Sequence, residues 1–328
     1  MESYGNDNSC NTLQDSGSNG SAITTRRSFL AGLGAGAAAM ALGAGTVANA
    51  QAAGVVTGPL RASLGASAPA AGKTAIKFFG HSSFSITTPS GKVIYIDPWL
   101  KNPLNAASAE ADLTAAKAKC DAIAISHGHF DHVGEAVEIA KASGAVLCGM
   151  LELGLALAGH LGYPRDKATM VTLGNLGGAT TILDGEVTIT LVPALHSSSL
   201  TVPEAGEPAG SDKTQTVTAG SPTGLVIAIK GGPTIYHTGD TEVFSDMALI
   251  GQLHKPDIML VCIGDHFTMG PKAAALATKL VAPQTVVPIH HSTFPLLTGT
   301  PAAFEAELKS AGAKAAIKVL KAGEVLES

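Results

Sequence analysis

Six consecutive residues, His127-Gly128-His129-Phe130-Asp131-His132, carry four side chains able to ligate a metal, and they follow directly on the apolar run Asp121–Ser126. That run reads as a short buried strand. The cluster therefore sits at a strand's carboxyl end, where layered α/β folds gather their ligands. A loop there can aim His127 and His129 at one metal while Asp131 and His132 face a second. Imidazole and carboxylate are donors that suit Zn²⁺, Fe or Mn. The competing reading is a surface loop rich in histidine by chance. Four ligating side chains behind a buried strand make it the weaker one.

From Ala75 onward the chain supplies the other strands. Ala75–Phe79, Ser83–Thr87 and Lys92–Asp97 are β-rich runs separated by Gly or Pro, as in adjacent antiparallel strands. Beyond the histidine cluster a helical stretch over Gly134–Ala142 leads to a strand at Ala145–Cys148, a helix over Met150–Leu161 and a strand over Lys167–Leu173. Thr180–Leu183 and Val187–Val192 flank Asp184-Gly185-Glu186 as the arms of a hairpin would. A polar insertion, Ser197–Pro222, precedes a second series. It has strands at Gly224–Ile229 and Thr234–His237, a helix over Val243–Leu253 and a strand at Asp257–Cys262. A helix over Pro271–Val281, a strand at Thr285–Ile289 and a helix over Pro301–Ala311 follow. Each half opens on strands and then alternates with helices. The order predicts one α/β domain of the α+β type over residues 75–328, a four-layer αββα sandwich of two similar halves.

Composition narrows the function. With 45% hydrophobic and 14% charged residues over 328 positions, the chain can bury a large core. Its net charge of −5 argues against a nucleic-acid partner held by phosphate contacts. Four cysteines make no disulfide framework in so long a chain. Cys148 and Cys262 fall in strands and Cys120 just ahead of one, as small core residues do. Residues 1–24 are small and polar, and Thr25-Arg26-Arg27-Ser28-Phe29-Leu30 then opens an uncharged Ala/Gly/Leu run as far as Gly45. Ala48-Asn49-Ala50 has the small-x-small form read by signal peptidase. The pattern resembles a twin-arginine export signal. It implies a signal peptide over residues 1–50, a flexible linker over 51–74 and a folded cargo for the twin-arginine machinery. A periplasmic or other extracytoplasmic location follows, or membrane anchoring if the signal stays uncleaved. No nucleic-acid partner and no stable membrane partner are expected.

The motif His-x-His-x-Asp-His resembles the metallo-β-lactamase superfamily of metallohydrolases, and the resemblance continues downstream. Pro193-Ala194-Leu195-His196 matches the family's third histidine and Tyr236-His237-Thr238-Gly239-Asp240-Thr241 its Gly-Asp motif. Val287-Pro288-Ile289-His290 matches the final histidine, in the family's order. Gly80-His81-Ser82-Ser83-Phe84, Ile96-Asp97-Pro98-Trp99 and the loop Ile263–Gly270 look like metal-dependent hydrolases related to ascorbate-6-phosphate lactonase. The export signal and the 197–222 insertion depart from that group. The resemblance implies a metallo-β-lactamase sandwich in which His127, His129 and His196 hold one metal, Asp131, His132 and His290 a second, and Asp240 bridges them. Two divalent ions are expected, zinc foremost, with manganese or iron accepting the same donors. The implied chemistry is hydrolysis of a small ester, lactone or phosphoester by a metal-held hydroxide, since such a centre lowers a water's pKa from about 15.7 towards about 7. Two divalent cations against two carboxylates leave net positive charge, which favours an anionic or electron-rich small-molecule substrate.

Other residues are weighed beside these. Asp131, His81 and His291 are the catalytic candidates, His291 as proton donor to the leaving group or as a substrate contact. Asp97 is expected to hydrogen-bond a ligating histidine. Asp265 and His266 are expected in a loop lining the site, His237 within a strand, and His160 and His254 at the surface. Leu153, Leu155 and Leu157 would form one apolar helix face. A phosphodiesterase or phospholipase-D-like enzyme is the second enzymatic reading. A non-catalytic metal-binding protein is the reading of another class, and the full set of seven ligand positions argues against it.

Overall fold

The computed structural model describes residues 72–208 and 210–328; the expected export signal and residues 51–71 of the expected linker lie outside the described residues. Thr74, counted with that linker, already belongs to the domain. It is buried and exchanges two backbone hydrogen bonds of 2.9 Å with Ser328.

The first sheet contains β1 (Ala75–Gly80), β2 (Ser83–Thr87), β3 (Val93–Ile96), β4 (Ala122–Ala124), β5 (Val146–Met150) and β6 (Leu173–Gly174). The second is built from β7 (Ala179–Ile182), β8 (Val187–Pro193), β11 (Thr223–Ile229), β12 (Thr234–His237), β13 (Ile258–Cys262), β14 (Thr285–Ile289) and β15 (Ala316–Ile317). A separate hairpin pairs β9 (Ser199–Pro203) with β10 (Thr214–Thr218). A last strand, β16 (Val325–Glu327), returns to the edge of the first sheet beside β1, with Ala75 opposite Glu327. The two seven-stranded orders, β16-β1-β2-β3-β4-β5-β6 and β7-β8-β11-β12-β13-β14-β15, correspond strand for strand. In each, the first four strands pair antiparallel and the last four parallel.

Parallel neighbours cannot be joined by a tight turn, so each such pair needs a crossover. Helices α1 (Ala109–Ala118), α2 (Phe130–Val133), α3 (Ala136–Ser143) and α4 (Leu151–Ala156) serve the first sheet. Helices α5 (Met247–His254), α6 (Pro271–Val281) and α7 (Pro301–Ala311) serve the second. The central strands are covered on both faces, and every residue of β4 (Ala-Ile-Ala) and β13 (Ile-Met-Leu-Val-Cys) is buried. Together these layers form the expected αββα sandwich. Cys120, Cys148 and Cys262 are buried free thiols, with burial pushing them up to about 12, 12 and 11. They are core residues, not reactive ones.

The structure departs from the sequence-based expectation in several places. The strand expected over Lys167–Leu173 shrinks to β6, because a turn on the Thr169 carbonyl takes the Thr172 and Leu173 N–H groups at 3.0 and 2.8 Å. The helix expected over Met150–Leu161 starts at Leu151 and ends in a π-turn over Leu157–Leu161. Leu153 and Leu157, one turn apart, are buried, but Leu155 lies on the other side and is 58% exposed. The insertion is the β9–β10 hairpin, anchored by the buried Leu200 and Val202. Helix α1 and the edge strands β15 and β16 carry little periodicity of their own. Pairing with neighbours defines those strands.

Candidate metal centre

The chain brings its chemistry to the carboxyl ends of strands in both sheets, two pairs of them corresponding. His81 follows β1 and His196 follows β8; Asp97 follows β3 and Asp240 follows β12. The histidine cluster follows β4, and His290 follows β14. The His290 N–H donates to the His81 carbonyl at 2.8 Å, and the Thr223 N–H donates to the Ser126 carbonyl at 3.0 Å, tying the sheets together at the site. His81, Asp97 and His290 hold φ values of 55°, 44° and 54°. Left-handed backbone at non-glycine residues costs of order 1–3 kcal/mol each and collects at functional sites.

Local geometry explains the spacing of the cluster. His129 is extended (φ −68°, ψ 152°), and residues two apart on extended backbone face the same way, so His127 and His129 converge. The single turn of α2 then turns Asp131 and His132 inward and leaves Phe130 64% exposed. Gly134 (φ +40°) ends that turn where a Cβ would lie 2.4 Å from the Trp99 Cα, so only glycine lets the ligand helix sit against the Pro98–Trp99 loop.

The ligand atoms form two adjoining groups. In one, His127 Nε2 lies 2.9 Å from His129 Nδ1, and His127, His129 and His196 together could hold an ion. In the other, Asp131, His132 and His290 are joined by His81, whose Nε2 is 3.1 Å from Asp131 Oδ2. Asp240 lies between them. Its Oδ2 is 3.9 Å from His127 Nε2 and 3.6 Å from His196 Nε2 on one side, and 3.0 Å from His290 Nε2 on the other, while its Oδ1 is 3.3 Å from His132 Nε2. Yet His132 Nε2, His290 Nε2 and Asp240 Oδ1 make no hydrogen bond although all are buried. Buried polar atoms left unpaired cost about 1–3 kcal/mol each. Donor atoms facing one another at such distances without hydrogen-bond geometry fit a cation held between them.

The outer nitrogens are occupied, which frees the inner ones to ligate. Asp97 Oδ2 accepts from His132 Nδ1 at 2.7 Å and from the Ser126 hydroxyl at 2.7 Å, and Ser126 Oγ lies 3.0 Å from His127 Nδ1. One carboxylate thus orients a histidine of each group, directly and through Ser126. Burial pushes His127, His129 and His196 down, and His81 to about 4, so these imidazoles are neutral at pH 7, as metal ligation requires. Burial also disfavours charge on His132 and His290. The Asp240 carboxylate, aided by Asp97 for His132 and Asp131 for His290, overcomes it and holds His132 well above its ordinary value and His290 at about 9. Despite burial, the neighbouring histidines hold Asp131 and Asp240 well below the usual carboxylate range. Replacing Asp97 with asparagine is expected to weaken metal binding roughly 10–100-fold, measurable by competition with a chromogenic chelator. An unchanged affinity would show that Asp97 does not orient the ligands.

A cavity of about 580 Å³ opens on this centre. His129, Asp131, His196, Asp240 and His290 line it, so five of the seven expected ligands face a substrate. His81 does not line it: fully buried, it stands behind Asp131, its Nδ1 2.8 Å from Thr293 Oγ1. His81 therefore reaches the centre as a positioning partner or a further ligand. His291 lies off the cavity, its one side-chain hydrogen bond running 2.9 Å to Ser292 Oγ, because the left-handed His290 turns the chain away from the site. Asp265 and His266 are exposed, and Phe267 is the residue of their loop that reaches the cavity. His237 ends β12, accepts from the Gly239 N–H at 3.1 Å and lies 3.0 Å from the Ser82 carbonyl. His160 is at the surface and His254 half-buried. Sequence reading passed over Ser126, Thr293 and the aromatic lining, which carry no motif; Ser126 is marked only by ending the strand before the cluster.

Residues 92–291 match the family model of the beta-lactamase superfamily domain. A metal-dependent hydrolase of the UPF0173 family from Thermodesulfovibrio yellowstonii is 47% identical over 256 residues, covering 78% of this chain and 92% of that protein. The solved structure of a metallo hydrolase from the archaeon Ignicoccus hospitalis superposes with a TM-score of 0.64 at 35% identity, covering 78% of this chain and 98% of that one. An isothiocyanate hydrolase from Delia radicum gut bacteria shares the fold at a TM-score of 0.53 and 20% identity, covering 77% of this chain and 98% of that one. The matched span holds all seven expected ligands, from His127 to His290, on the strand ends where the two sheets meet. The chain belongs to the UPF0173 family of metal-dependent hydrolases within the metallo-β-lactamase superfamily.

Proposed function

We propose that the protein hydrolyses a small ester, lactone or phosphoester at a dinuclear centre, with zinc the first expectation for the metal. His127, His129 and His196 would hold one ion, Asp131, His132 and His290 the other, with Asp240 shared. The observation that carries this reading is the position of Asp240, 3.6 Å from His196 and 3.0 Å from His290. Bound there, two divalent cations supply an activated water near neutral pH and polarise the scissile carbonyl or phosphoryl oxygen. The chain does the rest. Asp97 and Ser126 fix two imidazoles in the ligating tautomer, His81 steadies Asp131, and the half-buried His129 and His196 present the open side of the centre to substrate. Among the described residues no lysine or arginine lines the cavity, which disfavours the phosphodiesterase and phospholipase-D-like reading.

The relation to ascorbate-6-phosphate lactonase and export through the twin-arginine machinery are further parts of this proposal. The second rests on Arg26, Arg27 and the Ala48-Asn49-Ala50 site. That route carries folded cargo and would let the metals be loaded before export to the periplasm.

The test is metal analysis of the purified full-length protein, followed by assay of a chromogenic lactone beside bis-p-nitrophenyl phosphate. Two equivalents of metal per chain are expected, with turnover falling at least roughly 10³-fold after chelation and returning on reloading. Full turnover in the metal-free protein would end the proposal.

A further inference from the structure

Apart from the ligands, the lining of the cavity is apolar and uncharged. Phe130, Phe267, Phe294, Pro295 and Leu296 make most of it, and the remaining polar groups are the hydroxyls of Ser197, Ser199 and Thr201. Three of the apolar side chains that line the cavity are open to solvent: Phe130 is 64% exposed, Leu296 54% and Phe267 49%. The wall behind them is aromatic. Trp99 stacks on Phe294 with ring centroids 5.8 Å apart and meets Phe130 edge-on at 5.6 Å, and His81 lies edge-on to Trp99 at 5.1 Å. Ser199 and Thr201 belong to β9 and Ser197 stands just ahead of it, so the 197–222 insertion builds the opposite wall.

We propose, resting on the hydrolytic reading above, that the substrate is a neutral ester or lactone carrying an apolar acyl or aryl group, lodged against Phe130, Phe267 and Phe294. A second charge on the substrate, such as a phosphate, would lie against phenyl rings with no cation to meet it and would lose its hydration. The positive charge of the centre acts on the reacting carbonyl alone. Phe130 and Phe267 are the specificity-determining residues, since both line the cavity and stay 64% and 49% exposed there.

Two readouts separate this inference from the reading it rests on. In the first, the metal-loaded full chain is assayed with p-nitrophenyl acetate, p-nitrophenyl octanoate and p-nitrophenyl phosphate. The octanoate is expected to exceed the acetate in kcat/KM by about tenfold or more, with the phosphate slowest, and Phe130→Ala or Phe267→Ala to cut the octanoate-to-acetate ratio severalfold. Both rings are exposed, so neither change threatens the fold. In the second, 2-decanone, a ketone that cannot be hydrolysed, is titrated against the fluorescence of Trp99, the single tryptophan of the chain. A saturable response is expected with 2-decanone, weaker in Phe130→Ala, and none with acetone or inorganic phosphate. An octanoate-to-acetate ratio of one or less, or a faster phosphate, overturns the inference while leaving the hydrolase intact. No turnover of any ester together with a saturable Trp99 response overturns the hydrolytic reading and supports the apolar site. No response to 2-decanone overturns the inference whatever the turnover.

Discussion

Asp240→Ala is expected to lower kcat/KM by roughly 10³-fold or more and to reduce the metal content below two per chain. Among the described residues, Asp240 is the carboxylate whose oxygens lie within 4 Å of imidazoles in both groups, at 3.6 and 3.9 Å to His196 and His127 and at 3.0 and 3.3 Å to His290 and His132. Removing it takes a negative charge from between the two groups proposed to hold metal and leaves His132 and His290 without the carboxylate that holds their protons in the metal-free protein. An uncompensated buried charge is costly, so the metal-free variant should also unfold more easily. Asp240→Asn separates the effects, because it keeps the shape and loses the charge. Kinetics beside metal stoichiometry decide the matter: a variant within threefold of the parent in kcat/KM, with full metal content, would remove Asp240 from the centre.

Gly264→Ala, a change of one methyl group, is expected to cost about 1–3 kcal/mol of stability and to impair the group formed by Asp131, His132 and His290. A Cβ at Gly264 would lie 2.1 Å from the His290 carbonyl oxygen and 3.2 Å from His290 Nδ1. His290 has no slack to yield. Its backbone is already left-handed at φ 54°, and its N–H is bonded to the His81 carbonyl at 2.8 Å. The strand end must therefore move, carrying a ligand with it. Urea unfolding measures the stability loss, and metal stoichiometry should fall from two to one as the group of His127, His129 and His196 survives. An unchanged midpoint with both metals retained would mean the loop absorbs the methyl group elsewhere.

The two expected effects have different visibility in sequence. Asp240 stands in a Gly-Asp turn at a strand end, and it is the resemblance to the metallo-β-lactamase superfamily that singles it out. Gly264 looks like any loop glycine until β13 and β14 are laid side by side. The same contrast holds for the histidines. His127, His129 and His132 declare themselves by density within six positions. His81 and His291 looked equally promising, yet one meets Asp131 at 3.1 Å and the other bonds only its neighbour Ser292. The difference arises where a strand of one sheet is set beside a strand of the other.

Sequence by itself determined the histidine-rich cluster at a strand end and the alternation that builds two like halves, while the places of His196, Asp240 and His290 come from the resemblance to the metallo-β-lactamase superfamily. The cluster and the alternation are written in short-range features, namely the two-residue period of strands, the punctuation of glycine and proline and the chemistry of imidazole and carboxylate. The tertiary structure alone decided which ligands share a site, that Asp97 serves both groups, that the insertion is a hairpin walling the cavity, and that this cavity is lined with phenyl rings instead of basic side chains. Those facts depend on contacts such as His81 with Thr293, 212 positions apart, which form only when both sheets close on a common core. No local period encodes them.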